Sequence, residues 1–101
     1  MITLPVALHR EEIAEFCARN HIRKLSFFGS VLTRRFGADS DVDVLVEFEP
    51  GNIPGYFDFA EMELELSRML GRKADLRTPE ELSRHFRSEV VATAVVQYEQ
   101  L

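Results

Sequence analysis

The chain has no tryptophan and only one cysteine, Cys17, in 101 residues. A single thiol excludes an internal disulfide. Cys17 falls on the apolar stripe of an expected helix, where a free cysteine packs as a small hydrophobe rather than acting as a nucleophile. Long apolar runs are also missing. Spanning a bilayer takes about 20 predominantly apolar residues, and no stretch approaches that. The N-terminal MITLPVALHREE lacks the basic start and long apolar centre of a secretory signal. The expectation is a cytoplasmic protein with no membrane partner. A glycine-rich Walker loop is absent, which argues against a P-loop kinase or ATPase. Positive charge is scarce: 12 Lys and Arg stand against 17 Asp and Glu, for a net charge of −5. Direct nucleic-acid binding, which usually needs a basic surface, is therefore not expected, although a nucleotide needs only a local positive patch. The histidines, His9, His21 and His85, are too dispersed to show metal-ligand spacing and read as surface residues.

What is present is an ordinary globular balance, 46% hydrophobic and 29% charged. The length fits one domain, residues 1–101, with a small core that an obligate partner could supplement. Residues 1 to 8 read as extended, with Pro5 breaking any helix. Residues 9 to 20 read as a helix with Ile13, Phe16 and Cys17 on one stripe. Lys24 to Phe28 is a first strand, apolar on both faces as in a buried position. A short helix is expected from Leu32 to about Phe36, stopped by Gly37, and a second strand from Asp41 to Glu49. Pro50 to Gly55, with two prolines and two glycines in six residues, is a loop. A helix from about Asp58 to Leu70 buries Phe59, Met62, Leu66, Met69 and Leu70. Residues 73 to 77 form a third strand, with Asp75 and Arg77 on one face. Thr78-Pro79-Glu80-Glu81 has the cap, proline and glutamate of a helix start. Ser88 to Leu101 has helical apolar spacing, although its β-branched content also permits a strand. The fold class is α/β (α+β): a small mixed sheet of three to four strands with helices on one side.

The informative stretch is FFGSVLTRRFGADSDVDVLVE, residues 27 to 47. Alternation along a strand puts Asp41 and Asp43 on one face, about 7 Å apart, and Val42, Val44, Val46 and Phe48 on the other. Two like charges this close raise each other's cost of ionisation. A divalent cation removes that cost, and Mg²⁺ takes one or two carboxylates together with substrate phosphates. Gly29 permits a tight turn and close approach to a ligand. Ser30 is placed to cap the short helix, whose N-terminus would suit phosphate. Arg34 and Arg35 on that helix carry the planar fork that binds phosphate in pairs of charge-assisted bonds.

Gly29-Ser30, ten intervening residues and then Asp41-Val42-Asp43 resembles the signature of the nucleotidyltransferase superfamily with the DNA polymerase β-like fold. The short chain and its TAVVQYE tail resemble the minimal nucleotidyltransferases, or MNT proteins. The resemblance implies a basic residue near the triphosphate, from Arg34 or Arg35, and a third acidic residue on the next core strand, which Asp75 matches. It implies catalytic and metal-binding roles for Asp41, Asp43 and Asp75 with one or two Mg²⁺ ions, and nucleotide binding by Gly29 and Ser30. The expected reaction is transfer of AMP from ATP. Minimal nucleotidyltransferases are commonly antitoxins paired with a HEPN-domain ribonuclease toxin, which they modify on a tyrosine, bind, or both. By that resemblance the expected partner is a HEPN-type toxin. Two alternatives stand beside it: a non-catalytic antitoxin that masks its toxin, and a homodimeric enzyme acting on a small molecule.

Overall fold

A computed structural model describes residues 9–33, 37 and 39–100. The expectations for residues 1 to 8 and for Arg34, Arg35 and Phe36 lie outside the described residues. The elements in chain order are α1 (Arg10–Arg19), β1 (Ile22–Phe28), a 3₁₀ turn (Gly29–Leu32), β2 (Val42–Phe48), α2 (Tyr56–Leu70), β3 (Ala74–Arg77), a second 3₁₀ turn (Pro79–Glu81), α3 (Arg87–Thr93) and β4 (Val95–Glu99). The strands form one sheet in the order β3-β2-β1-β4. β1 runs antiparallel to both β2 and β4, and β2 runs parallel to β3. The parallel pair is joined through α2, the crossover that parallel strands require.

One face of the sheet carries the core. Ile13, Phe16 and Cys17 of α1 and Met62, Leu66 and Leu70 of α2 meet Leu25 and Phe27 of β1, Val42, Val44 and Val46 of β2, and Ala74 and Leu76 of β3. Phe59 and Met69 pack at its margin. Ile22 joins this core although it lies three positions before Leu25, an odd spacing that strict alternation would put on the other face. A register shift between Ile22 and Lys24 makes that possible, as a bulge moves a side chain to the other face. Cys17 is fully enclosed, and burial pushes its thiol up to about 12. His21 turns α1 into β1 with a φ of 57°. Its ring Nδ1 lies 3.0 Å from Glu49 Oε2, and its carbonyl accepts from the Glu49 N–H at 2.8 Å.

β3 is an edge strand, yet its outward N–H groups have partners. The N–H of Ala74 donates to Ser67 Oγ at 2.8 Å, and that of Leu76 donates to Glu63 Oε2 at 2.9 Å. Side chains of α2 thus close the border against another strand.

The C-terminal segment, whose residues permitted either a helix or a strand, forms one and then the other. α3 ends at Thr93, and Ala94 turns extended with φ −62° and ψ 142°. Val95–Glu99 then pairs with β1, placing Tyr98 opposite Leu25 and Glu99 opposite Lys24. The β-branched pair Val95-Val96 favours a strand, and β1 would otherwise present an unpaired border. The apolar spacing of this segment suits either state, so the free edge of β1 decides it.

The short helix after Gly29 differs from the expectation. Phe28, not Ser30, occupies the cap position, and Thr33 is already extended. The turn closes on itself: the Thr33 N–H and hydroxyl both donate to the Ser30 carbonyl at 2.9 Å.

Candidate active site

β1 ends where β2 begins, because the two strands are antiparallel and Phe28 stands opposite Asp43. The chain must therefore turn away from β1 directly over the Asp43 carboxylate. Gly29 makes that turn at φ +76°, a region that L side chains rarely enter. A Cβ on Gly29 would overlap Asp43 Oδ2 and lie 3.2 Å from its Cγ. Glycine is required twice, for its φ and for the space the carboxylate fills. The backbone N–H of Ser30 donates to that same carboxylate, so the turn grips Asp43 as well as making room for it.

The parallel register brings the third aspartate into place, with Asp43 paired to Asp75 across β2 and β3. Asp41 lies just before β2, on the exposed approach to the same face. Burial, then the charges of Asp75 and Asp41, push the Asp43 carboxyl above its ordinary range. Arg77 and the Ser30 N–H pull it only partly back. Arg77 is occupied by Asp75 itself, with Nε 3.3 Å from Oδ1 and Nη2 3.3 Å from Oδ2. This fork, with Asp75's charge, pushes the already basic Arg77 higher. Lys73 Nζ stands 3.9 Å from Asp41 Oδ2.

The donor set suits a hard divalent cation, since Asp43 and Asp75 stand on adjacent strands with Asp41 just before one of them, and Asp43 is under electrostatic strain that a cation relieves. Among the described residues no three acidic, histidine or cysteine side chains are already gathered around one point that a metal could occupy. Lys73 and Arg77 supply the nearby positive charge instead.

Gly29, Ser30, Asp41, Asp43 and Asp75 are brought to one end of the sheet. Arg34 and Arg35 lie outside the described residues. Sequence reasoning missed Arg72, which donates through Nη1 to the Gly37 carbonyl at 2.5 Å and to the Ser40 carbonyl at 3.3 Å. It pins the loop that delivers Asp41. Its partners are backbone carbonyls 35 and 32 residues away, and no residue pattern signals such a contact. Two grooves lie nearby, one against Gly29 and one against Asp75. One, about 530 Å³, runs between the Gly29 turn and α3, with Phe28, Leu32, Phe86 and Val90 in its walls. The other, also about 530 Å³, follows β3 past Asp75 and Arg77.

Comparison with known proteins agrees with this fold. A protein adenylyltransferase, MntA, from Thermococcus cleftensis is 40% identical over 68 residues, covering 67% of this chain and 64% of that protein. The chain thus spans less than two thirds of that relative's length. A solved structure provisionally assigned as a minimal nucleotidyltransferase superposes with a TM-score of 0.70 at 34% identity, over 85% of this chain and 86% of that one. A toxin-antitoxin crystal structure with AMP-PNP superposes at 0.72 over 92% of this chain and 75% of its own, and at 19% identity it speaks for the fold alone. The model of the nucleotidyltransferase domain family matches residues 10–96, from the first turn of α1 into β4. With nearly every element that builds the aspartate face inside that match, the chain belongs to the nucleotidyltransferase domain family.

Proposed function

We propose that this chain, as one domain over residues 1–101, transfers AMP from ATP to a tyrosine hydroxyl of a HEPN-type ribonuclease toxin and so acts as its antitoxin in the cytoplasm. The observation that carries the reading is Asp43, gripped by the Gly29-Ser30 turn and in register with Asp75. The MntA relative, named a protein adenylyltransferase, supports the reaction class. The toxin-antitoxin neighbour shares the fold and contains a nucleotide analogue.

Asp41, Asp43 and Asp75 would hold one or two Mg²⁺ ions. Bound metal supplies charge neutralisation on the triphosphate and orients the α-phosphorus. The chain's own residues do the rest by position, as in other phosphoryl transfers. The Ser30 N–H is committed to Asp43, so the Ser30 hydroxyl and the open backbone at Gly29 are assigned to the departing pyrophosphate. Arg34 or Arg35 would add charge there. Asp75 takes the proton of the acceptor hydroxyl as its oxygen bonds to the α-phosphorus and pyrophosphate leaves. For Asp75 to do so, Arg77 must release it and can then face the transferring group. The groove beside Gly29 suits the nucleoside, and the groove beside Asp75 suits the acceptor.

Intact-protein mass spectrometry tests the proposal. The chain is co-purified with the HEPN-type protein and given Mg²⁺ with each nucleoside triphosphate in turn. The expected result is an AMP-sized gain on the partner with ATP, lost in Asp43→Asn. A stable complex with no gain from any nucleotide would instead favour an antitoxin that acts by binding alone.

A further inference from the structure

We infer that the groove beside Asp75 is the docking track for a basic, apolar-tipped polypeptide segment that delivers the acceptor hydroxyl. The inference rests on the protein-modifying reading above and names the chemistry of its partner. Three large side chains stand almost fully in solvent within five residues: Ile53 at 82%, Tyr56 at 84% and Phe57 at 82% exposure. Single exposed apolar residues are ordinary, whereas a contiguous cluster marks a contact surface. Aromatic residues are the ones that anchor such contacts. Tyr56 and Phe57 already meet edge to face, with ring centroids 5.8 Å apart. Tyr56 and Phe57 begin α2, and Ile53 lies just before Pro54-Gly55.

This cluster is continuous with the aspartate face. Ile53 and Tyr56 line the same groove as Asp75 and Arg77. Ile53 also lines a neighbouring groove of about 520 Å³ that reaches Glu47 and Glu80. A segment laid along this surface would run from an apolar bank to the carboxylate assigned to accept its proton.

Charge selects the occupant. Among the described residues the two grooves contain two arginines, and both are spoken for: Arg77 by Asp75, and Arg23 by Glu47 with Nη2 2.8 Å from Oε1. Glu63, Glu80 and Glu81 remain as the excess. The lining is therefore apolar and negative, complementary to a basic segment. It repels a nucleic-acid backbone. It also disfavours a second copy of this chain, because a two-fold contact would set the same negative surface against itself.

The test uses two fluorescein-labelled peptides of equal length, each with one tyrosine between leucines, flanked by arginines in one and by glutamates in the other. Binding to the full chain is read by fluorescence anisotropy. The arginine peptide is expected to bind saturably and the glutamate peptide not to bind. The double variant Ile53→Ser/Tyr56→Ser should weaken the arginine peptide at least about tenfold. Glu80→Lys should weaken it several-fold, and more at low salt. Both variants should retain wild-type affinity for Mg-ATP by calorimetry, which shows that the fold is intact. Equal binding of the two peptides, binding of neither, unchanged affinity in the double variant, or preference for a single-stranded RNA oligonucleotide would each overturn the inference. Failure of the transfer reading looks different: the arginine peptide binds as expected, yet the wild-type chain adds no AMP to its HEPN-type partner.

Discussion

Val42, Val44 and Val46 of β2 are sealed under α1 and α2, whereas Asp43, lying between two of them, is half-buried on the opposite face beside Asp75. The valines are held by packing, and their ideal residue is whatever fills the space. Asp43 sits where its charge is disfavoured by burial and by two like charges. A residue chosen for stability alone would not be a carboxylate. One seven-residue strand thus carries a face fixed by the core and a face that costs stability, as functional sites commonly do.

The comparison is broken most severely from the core side. Val44→Asp buries a charge among apolar groups and is expected to destabilise by about 4 kcal/mol or more. In a domain this small, urea denaturation should find it largely unfolded. Gly29→Ala attacks the boundary between the faces. It forces a side chain into a left-handed conformation and against Asp43, for about 1–3 kcal/mol of lost stability. Its loss of AMP transfer should be disproportionately larger than its drop in melting temperature, because the displaced group is the carboxylate itself.

Asp43→Asn sharpens the contrast by running the other way. The folded Asp43 carboxyl lies above its ordinary value of 3.8, so folding favours the protonated form. Its favourable contribution is complete below 3.8 and is lost as pH rises through the folded value. The variant should therefore match the wild type at low pH and be the more stable of the two near neutrality, measured by thermal melts in chelator. Added Mg²⁺ should narrow the gap by stabilising only the wild type. The smallest expected effect is that of Arg77→Gln. Freed from its fork with Arg77, Asp75 should bind Mn²⁺ several-fold more tightly without nucleotide, as followed by electron paramagnetic resonance.

Much of this was legible from local rules. Alternation alone puts Asp43 and Asp75 on the face opposite Val44 and Leu76, and 3.6-residue spacing selects Ile13, Phe16 and Cys17. Glycine at position 29 signals a turn. Three features were not settled by local rules, each for the same reason. β4 depends on the vacant border of β1, the cap at Phe28 depends on the antiparallel return of β2, and Arg72 depends on a loop far along the chain. Each is decided by a partner distant in sequence, and the local residues are compatible with more than one outcome.

The enclosed thiol of Cys17 has a practical consequence. With its ionisation pushed up to about 12 and no exposed surface, it has almost no thiolate and no path to a reagent while the domain is closed. Alkylation can proceed only in molecules whose α1 has lifted from the sheet. The chain therefore carries its own clock for that opening, and the labelling rate reads it under native conditions without denaturant or an engineered cysteine.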